Sequence, residues 1–161
     1  MKKETAVLAG GCFWGVEELL SSLPGVLETE VGYCGGDLEN PIYEQVKKGD
    51  TGHAESVKVI FDSDKLTYQQ LLSYFFRIHD PTTPNRQMGD FGHQYRSVVF
   101  YMDENQKNTA IEAIASASKN WKDPIVTEVV EFKKFWKAEE YHQKYLKKNP
   151  SGYTCHFERK F

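Results

Sequence analysis

The chain has few cysteines, no long apolar run and no strong excess of either charge. Three cysteines among 161 residues, without any Cys-x-x-Cys pair, fit neither a secreted disulfide framework nor a structural zinc motif. No stretch approaches the roughly 18 consecutive apolar residues of a membrane span. A formal net charge of −3 and the lack of a basic stripe do not favour nucleic-acid binding. We therefore expect a cytoplasmic protein with no membrane or nucleic-acid partner.

The chain also lacks internal repeats, linkers and low-complexity segments. The apolar run near the amino terminus covers only residues 6–9, which is too short for the core of a signal peptide. The length is about that of one domain. We therefore predict a single domain over residues 1–161, with a monomer as the expected state.

Apolar residues alternate between strand and helix periodicities along most of the chain. Strands are predicted at 6–9, 26–33, 55–61, 96–102 and 125–132, and helices at 13–23, 67–78, 103–121 and 138–148. Thr67 and Asp103 are suited to cap two of these helices. Two long polar loops, 34–53 and 80–94, and an irregular tail, 149–161, complete the chain. This order predicts an α/β (α+β) fold with a single layered mixed sheet.

Cys12 is the first residue that suggests chemistry. It follows a strand and two glycines and stands at the predicted start of a helix, where backbone N–H groups and the helix dipole favour a thiolate and lower the thiol pKa. Phe13 and Trp14 come next, and at least one of them can form the wall of an apolar pocket. The alternative is a buried, unreactive cysteine with both aromatic rings in the core.

Six short blocks of sequence follow one another between about residue 8 and residue 156. They are Gly11-Cys12-Phe13-Trp14-Gly15; Val31-Gly32-Tyr33 with Gly35-Gly36; Pro41 and Tyr43 with Gly52-His53-Ala54-Glu55; His79-Asp80-Pro81-Thr82; Asp90 to Ser97; and Glu139 to Leu146 with Asn149-Pro150. Each block alone is weak. In this order they resemble the peptide methionine sulfoxide reductase A family.

The resemblance implies a fold, an activity and partners. The fold would be mixed α/β with a ferredoxin-like core. The activity would be reduction of methionine S-sulfoxide, free or in oxidised proteins, to methionine, which repairs oxidised proteins. No bound cofactor or metal would take part. The electrons would come from an external thiol reductant, either thioredoxin or dithiothreitol.

The resemblance also assigns the reacting groups. Cys12 matches the nucleophile and Glu55 the acid that protonates the sulfoxide oxygen. Such an acid must hold its proton near neutral pH, which requires burial to raise its pKa. Tyr43 and Tyr95 match hydroxyl donors to the same oxygen, where negative charge builds as the thiolate attacks sulfur.

Other residues match supporting roles in the family. Phe13 and Trp14 match the walls of a methyl pocket, and Asp90 matches a polar residue of that pocket. His53 either positions the acid or makes loop hydrogen bonds. After attack Cys12 becomes a sulfenic acid. Cys155 in the tail matches the resolving thiol, which forms a disulfide that thioredoxin reduces.

Four questions stay open at this point. Cys34 departs from the family pattern, and is either a bystander or a backup resolver. A Cys–His hydrolase would pair Cys12 with a histidine base. A zinc enzyme would use His53-Ala54-Glu55, although the Pro-Cys-x-x-Cys half of the deaminase motif is absent. A binding module would hold the sulfoxide without converting it. The available histidines are His53, His79, His93, His142 and His156.

Overall fold

The computed structural model describes residues 1–161 and contains eight strands and five α-helices. The elements in chain order are β1 (Lys3–Gly10), α1 (Phe13–Ser21), β2 (Val26–Cys34), α2 (Tyr43–Val46), β3 (Ala54–Asp62), α3 (Tyr68–Ile78), β4 (Arg86–Gln87), β5 (Asp90–Phe91), β6 (Ser97–Tyr101), α4 (Glu104–Ala117), β7 (Glu128–Glu131), β8 (Phe135–Lys137) and α5 (Tyr145–Lys148). Short 3-10 helices lie at His93–Tyr95, Ser118–Asn120 and Glu140–His142. No helix has the length and apolar character needed to cross a membrane.

Six strands form one mixed sheet in the order β7-β6-β1-β3-β2-β8. The four central strands pair with one another in antiparallel fashion, whereas β7 at the edge runs parallel to β6. Helix α1 connects β1 to β2, and α3 lies between β3 and β6 along the chain. Strand order β6-β1-β3-β2 with these two helices is the ferredoxin-like core. The predicted fold class is therefore confirmed.

Two of the helices begin where the sequence predicted. The Thr67 hydroxyl accepts a hydrogen bond from the Gln70 backbone N–H at 3.1 Å. The Asp103 carboxylate accepts one from the Gln106 N–H at 2.8 Å. Each side chain satisfies an N–H group that the first turn of a helix leaves without a partner. These caps place the starts of α3 and α4.

Alternation along the strands sends neighbouring side chains to opposite faces of the sheet. Tyr33 and Val57 belong to the large apolar cluster on the face that α1 and α3 cover. Cys34 and Ala54 belong to a second, smaller cluster. Glu55 has the same parity as Val57, so it faces the helices. This alternation decides which residues can reach the start of α1.

The prediction of one continuous helix over 138–148 was wrong, because the segment is divided into two short helical pieces. Only Glu140–His142 and α5 are helical, and Lys144 between them is left-handed with φ 53°. Its backbone N–H donates to the buried Glu17 carboxylate at 2.8 Å. The Gln143 side chain accepts from the Val31 N–H at 2.9 Å and donates to the Val31 carbonyl. Tertiary hydrogen bonds thus override the helical preference of this segment.

The tail of residues 149–161 contains no helix or strand, but it is docked on the body of the protein. His156 Nε2 lies 2.7 Å from the Gly10 carbonyl oxygen. A side chain at Gly15 would clash with His156 and Thr154. The tail can therefore pack against the first turn of α1 because Gly15 has no side chain there. This docking brings the tail beside Cys12.

Candidate active site

A cavity of about 110 Å³ opens at the start of α1. Seven of its eight lining residues are ones that the sequence singled out, and the eighth, Tyr153, was not expected. A cavity of similar volume between α3 and α4, about 120 Å³, contains no cysteine or acidic side chain. The lining residues of the first cavity are Cys12, Phe13, Trp14, Tyr43, Glu55, Asp90, Tyr95 and Tyr153.

The sheet register brings the thiol and the carboxyl group together. Leu8 of β1 pairs with Val57 of β3 in antiparallel register, so the end of β1 lies beside the start of β3. Cys12 comes two residues after the end of β1, and Glu55 is the second residue of β3. The Phe13 backbone N–H donates to Glu55 Oε1 at 3.2 Å. The first turn of α1 therefore holds the Glu55 carboxyl group in the cavity beside Cys12.

Glu55 meets the requirement for a carboxylic acid that is protonated at neutral pH. Its side chain is buried, with 2% of the residue exposed. Burial raises the pKa of Glu55 to about 8, and the negative charge of Asp90 acts in the same direction, whereas the Phe13 N–H lowers it. Burial dominates because a carboxylate loses its hydration there. At pH 7 the group is mostly an acid that can donate a proton.

The protonation of Cys12 differs from the sequence-based prediction. Only 8% of the residue is exposed. Burial, followed by the charge of Glu55, raises the pKa of the thiol well above its ordinary value. The Trp14 backbone N–H lowers it, as a helix start should, but this effect is smaller. Without substrate, the site therefore holds a thiol beside a protonated acid, and not a thiolate.

The two tyrosine hydroxyls of the cavity are donors at neutral pH. Burial and the charge of Glu55 raise the pKa of Tyr43 to about 12 and also raise that of Tyr95. Tyr43 begins α2, and its backbone N–H donates to Glu139 Oε2 at 2.8 Å. The other oxygen of Glu139 accepts from the Tyr33 hydroxyl at 2.8 Å. Glu139, to which the sequence analysis assigned no role, thus fixes the position of Tyr43.

The aromatic wall of the cavity is held rigidly. Phe13 is buried, and Trp14 is stacked on Tyr145 with ring centroids 3.8 Å apart and planes 9° apart. The Trp14 indole N–H donates to His142 Nδ1 at 2.9 Å. Reasoning from the sequence missed this function of His142 and Tyr145, although both lie in the Glu139 to Leu146 block. A wall with fixed rings suits an apolar group such as a methyl.

The second thiol stands at the rim of the same cavity. Cys155 Sγ lies 3.7 Å from Asp90 Oδ2 and 3.9 Å from the Gln87 carbonyl oxygen. Asp90 itself lines the cavity that contains Cys12. All three cysteines are free thiols in this structure. Tyr153, two residues before Cys155, completes the cavity from the docked tail.

Two residues from the sequence analysis lie outside the cavity. His53 Nδ1 accepts from the Gly36 N–H at 3.1 Å, and Nε2 donates to the Leu38 carbonyl at 2.8 Å. The structure therefore gives His53 the loop-bonding role and does not bring it to the substrate pocket. Cys34 is buried in the second apolar cluster, on the sheet face opposite Glu55. That position does not suit a backup resolver.

The surroundings of Cys12 decide between the classes of thiol protein. No histidine ring hydrogen-bonds to Cys12, which leaves a Cys–His hydrolase without its base. No three metal-binding side chains come together in the structure. The carboxyl group of Glu55 and the hydroxyls of two tyrosines share the cavity with Cys12. A second thiol, Cys155, lies at the rim beside Asp90. This arrangement suits a thiol-dependent oxidoreductase that removes an oxygen atom.

The chain belongs to the peptide methionine sulfoxide reductase family, whose model matches residues 4–161. It is 52% identical over 158 residues to "Peptide methionine sulfoxide reductase MsrA 2" of Rhodopirellula baltica, covering 97% of this chain and 92% of that protein. The crystal structure of reduced Mxr1 from Saccharomyces cerevisiae is similar with a TM-score of 0.95 and 37% identity, covering 99% and 93% of the two chains. Mxr1 in complex with Trx2 is similar in fold, with a TM-score of 0.69 and 24% identity over 99% and 91%.

The resemblance found in the sequence is thus confirmed, and the chain is an oxidoreductase of the A type. The cavity contains Cys12 together with Glu55, Tyr43 and Tyr95. The family membership and this geometry favour an enzyme over a binding module, because a protein that only binds has no use for a thiol beside a protonated acid.

Proposed function

We propose that this enzyme reduces methionine S-sulfoxide, free or in oxidised proteins, to methionine, and that it thereby repairs oxidised proteins. The observation that carries the proposal is the pairing of Cys12 with a buried Glu55, whose pKa burial raises to about 8, in one small cavity. A sulfoxide needs both groups, because its sulfur becomes a good electrophile only when its oxygen is protonated or strongly hydrogen-bonded.

In the proposed sulfoxide step the S-methyl group enters between the rings of Phe13 and Trp14. The sulfoxide oxygen then faces Glu55 and the hydroxyls of Tyr43 and Tyr95. The sulfur of Cys12 attacks the substrate sulfur while these donors stabilise the oxygen. The oxygen ends on Cys12 as a sulfenic acid, and methionine leaves as the thioether. A thiol and a sulfoxide thus become a sulfenic acid and a thioether.

In the proposed recycling step Cys155 attacks the sulfenic acid and forms a Cys12–Cys155 disulfide with release of water. Its position 3.7 Å from Asp90, at the rim of the cavity, supports this role. Thioredoxin is the proposed reductant, and the complex of the similar yeast protein Mxr1 with Trx2 supports it. Electrons would come from this external dithiol, or from dithiothreitol, without a bound cofactor. We propose that the enzyme acts as a monomer in the cytoplasm, where thiols are kept reduced.

A single turnover tests the proposal. Reduced protein is mixed with excess blocked methionine S- or R-sulfoxide without a reductant, and methionine and thiol states are measured by chromatography and mass spectrometry. We expect about one equivalent of methionine from the S form only, together with a Cys12–Cys155 disulfide. In the matched variant Cys155→Ser, methionine still forms, but Cys12 remains a sulfenic acid that a dimedone reagent traps. No methionine from either form, with Cys12 still a thiol, would overturn the proposal.

The tyrosine hydroxyls have a separate test. Tyr43→Phe and Tyr95→Phe each remove one donor to the sulfoxide oxygen and keep the ring. We expect each to slow methionine formation by about 10²-fold, the usual loss for one preorganised oxyanion donor. Rapid-quench measurement of methionine formation gives this rate. Tyr141→Phe is the matched control, since that exposed ring lies outside the cavity. Wild-type rates in both cavity variants would remove the tyrosines from the proposed mechanism.

A further inference from the structure

We propose that His156 is the general base that takes the thiol proton of Cys155 when Cys155 attacks the oxidised Cys12. The inference rests on the proposed function, since it assigns a residue to its recycling step. It arises from a buried histidine that the sulfoxide step does not use. His156 would touch a reacting sulfur atom and would therefore be a catalytic residue of that step.

The hydrogen bonds of His156 fix which ring nitrogen can accept a proton. Nε2 lies 2.7 Å from the Gly10 carbonyl oxygen. A carbonyl oxygen only accepts, so Nε2 carries the hydrogen in the neutral ring. Nδ1 is then the unprotonated nitrogen, and it lies 3.9 Å from Cys155 Sγ. A thiol, a base nitrogen and a carbonyl that orients the base form the arrangement expected of an activated nucleophile.

The packing around His156 holds this arrangement in place. The ring lies against the first turn of α1, where a side chain on Gly15 would clash with Nδ1. The His156 backbone N–H donates to the Thr154 hydroxyl at 3.1 Å, on the other side of Cys155 in sequence. The base and the thiol are therefore adjacent residues of the same docked segment, which keeps them close to each other. A long sulfur–nitrogen distance without substrate is compatible with proton transfer, because such contacts tighten during reaction.

The electrostatic environment keeps His156 in the form that can accept a proton. Burial lowers the pKa of His156 to about 4, and the positive charge of Arg159 acts against protonation. The other titratable groups that face the ring are Cys155 and the buried His79, whose own pKa burial lowers to about 3. Burial also raises the pKa of the Cys155 thiol, so this thiol keeps its proton and needs a base.

Atoms and electrons balance in the step. An electron pair of the Cys155 sulfur forms the bond to the Cys12 sulfur, and the Cys12 sulfur–oxygen bond breaks. The Cys155 proton moves to His156 Nδ1. The oxygen leaves with its hydrogen and takes up that proton, which releases one water molecule. Cys155 is oxidised and Cys12 is reduced, with no additional reductant.

The test separates the two chemical steps of one turnover. Reduced wild-type protein and His156→Gln are mixed with methionine S-sulfoxide, and methionine and the disulfide are followed separately by rapid quench. Glutamine can still donate to the Gly10 carbonyl but cannot act as a base. We expect disulfide formation to slow about 10²-fold relative to methionine formation in the same samples. His93→Gln, at an exposed site, is the matched control and should leave both rates unchanged.

The pH dependence distinguishes a base from a structural anchor. Wild-type disulfide formation should be flat between about pH 6 and 8, because His156 is neutral throughout. In His156→Gln the rate should rise about tenfold per pH unit, as expected when only thiolate reacts. Added imidazole should accelerate the His156→Ala variant. A slow variant with a flat profile and no imidazole effect would make His156 an anchor and overturn the inference.

Two further outcomes are decisive. A wild-type disulfide rate in His156→Gln would point to Asp90 or water as the base and would also overturn the inference. If the variant does not fold, the wild-type profile alone decides, because a tenfold rise per pH unit would exclude a neutral internal base. Failure of the proposed function is distinguishable, since the wild-type protein would then release no methionine at all.

Discussion

Replacement of Cys12 by serine is expected to abolish methionine formation, even in a single turnover with a large excess of sulfoxide. A serine hydroxyl is a far weaker nucleophile than a thiol at neutral pH, and its oxygen cannot take up the sulfoxide oxygen as sulfur does. The substitution keeps nearly the same shape at a position with 8% exposure, so the fold should be retained. Chromatography of methionine after a single turnover gives the result.

The matched control for this variant is Cys34→Ala. Cys34 is also a buried free thiol, but it lies on the other face of the sheet. We expect it to form methionine and the disulfide at wild-type rates. Methionine formation by Cys12→Ser at the wild-type level, or its loss in Cys34→Ala, would contradict the assignment of the nucleophile.

Glu55→Gln is expected to slow methionine formation by about 10² to 10⁴-fold, which is the usual contribution of a general acid. Glutamine has the size of glutamate and retains an oxygen that can accept from the Phe13 N–H. It cannot transfer a proton to the sulfoxide oxygen. The change therefore removes the acid with little effect on the cavity. Rapid-quench measurement of methionine gives the rate, and an unchanged rate would remove Glu55 from the mechanism.

The same variant has a second readout in the titration of Cys12. The charge of Glu55 is one cause of the raised pKa of the thiol. Since the pKa of Glu55 is about 8, this charge develops as the pH rises through that value. Glutamine never acquires the charge, so alkylation of Cys12 should begin at lower pH than in the wild-type protein. An alkylation profile that does not move would show that the two groups are not coupled.

The ferredoxin-like core was predictable because its elements have simple signals. Alternating or continuous apolar residues gave the four central strands, and the caps at Thr67 and Asp103 gave two helix starts. The short strand β8 was missed, since three residues after Lys133-Lys134 carry little periodicity. It forms because β2 offers a free edge, with Tyr33 opposite Trp136. Such an edge exists only after the sheet is built.

The cavity was predictable where family blocks contain its residues, and less so where contacts of remote segments create it. Cys12, Glu55 and Tyr95 were assigned by their blocks. Tyr153 enters the cavity only because the tail docks against α1. His142 was seen as a possible base, although its Nδ1 receives the indole N–H of Trp14. Hydrogen bonds between residues more than a hundred positions apart leave no local pattern.

The shift of the Cys12 thiol pKa could not be predicted from the sequence for a similar reason: its main causes lie in the assembled structure. The start of a helix is visible in sequence, and its effect on the thiol is present in the Trp14 N–H. Burial of the thiol and the neighbouring charge of Glu55 come from the assembled structure. Loss of hydration outweighs one backbone hydrogen bond, so the net direction reverses.

The position of Cys34 makes the protein a reporter of its own unfolding. Because Cys34 is part of the second apolar cluster and only 1% exposed, its thiol can react with an alkylating reagent only when the sheet opens. Cys12, by contrast, reacts through an existing cavity. Pulse alkylation resolved by mass spectrometry would therefore yield two independent rates from one sample. The alkylation rate of Cys34 measures how often the domain opens. The alkylation rate of Cys12 measures the reactivity of its thiol in the folded protein.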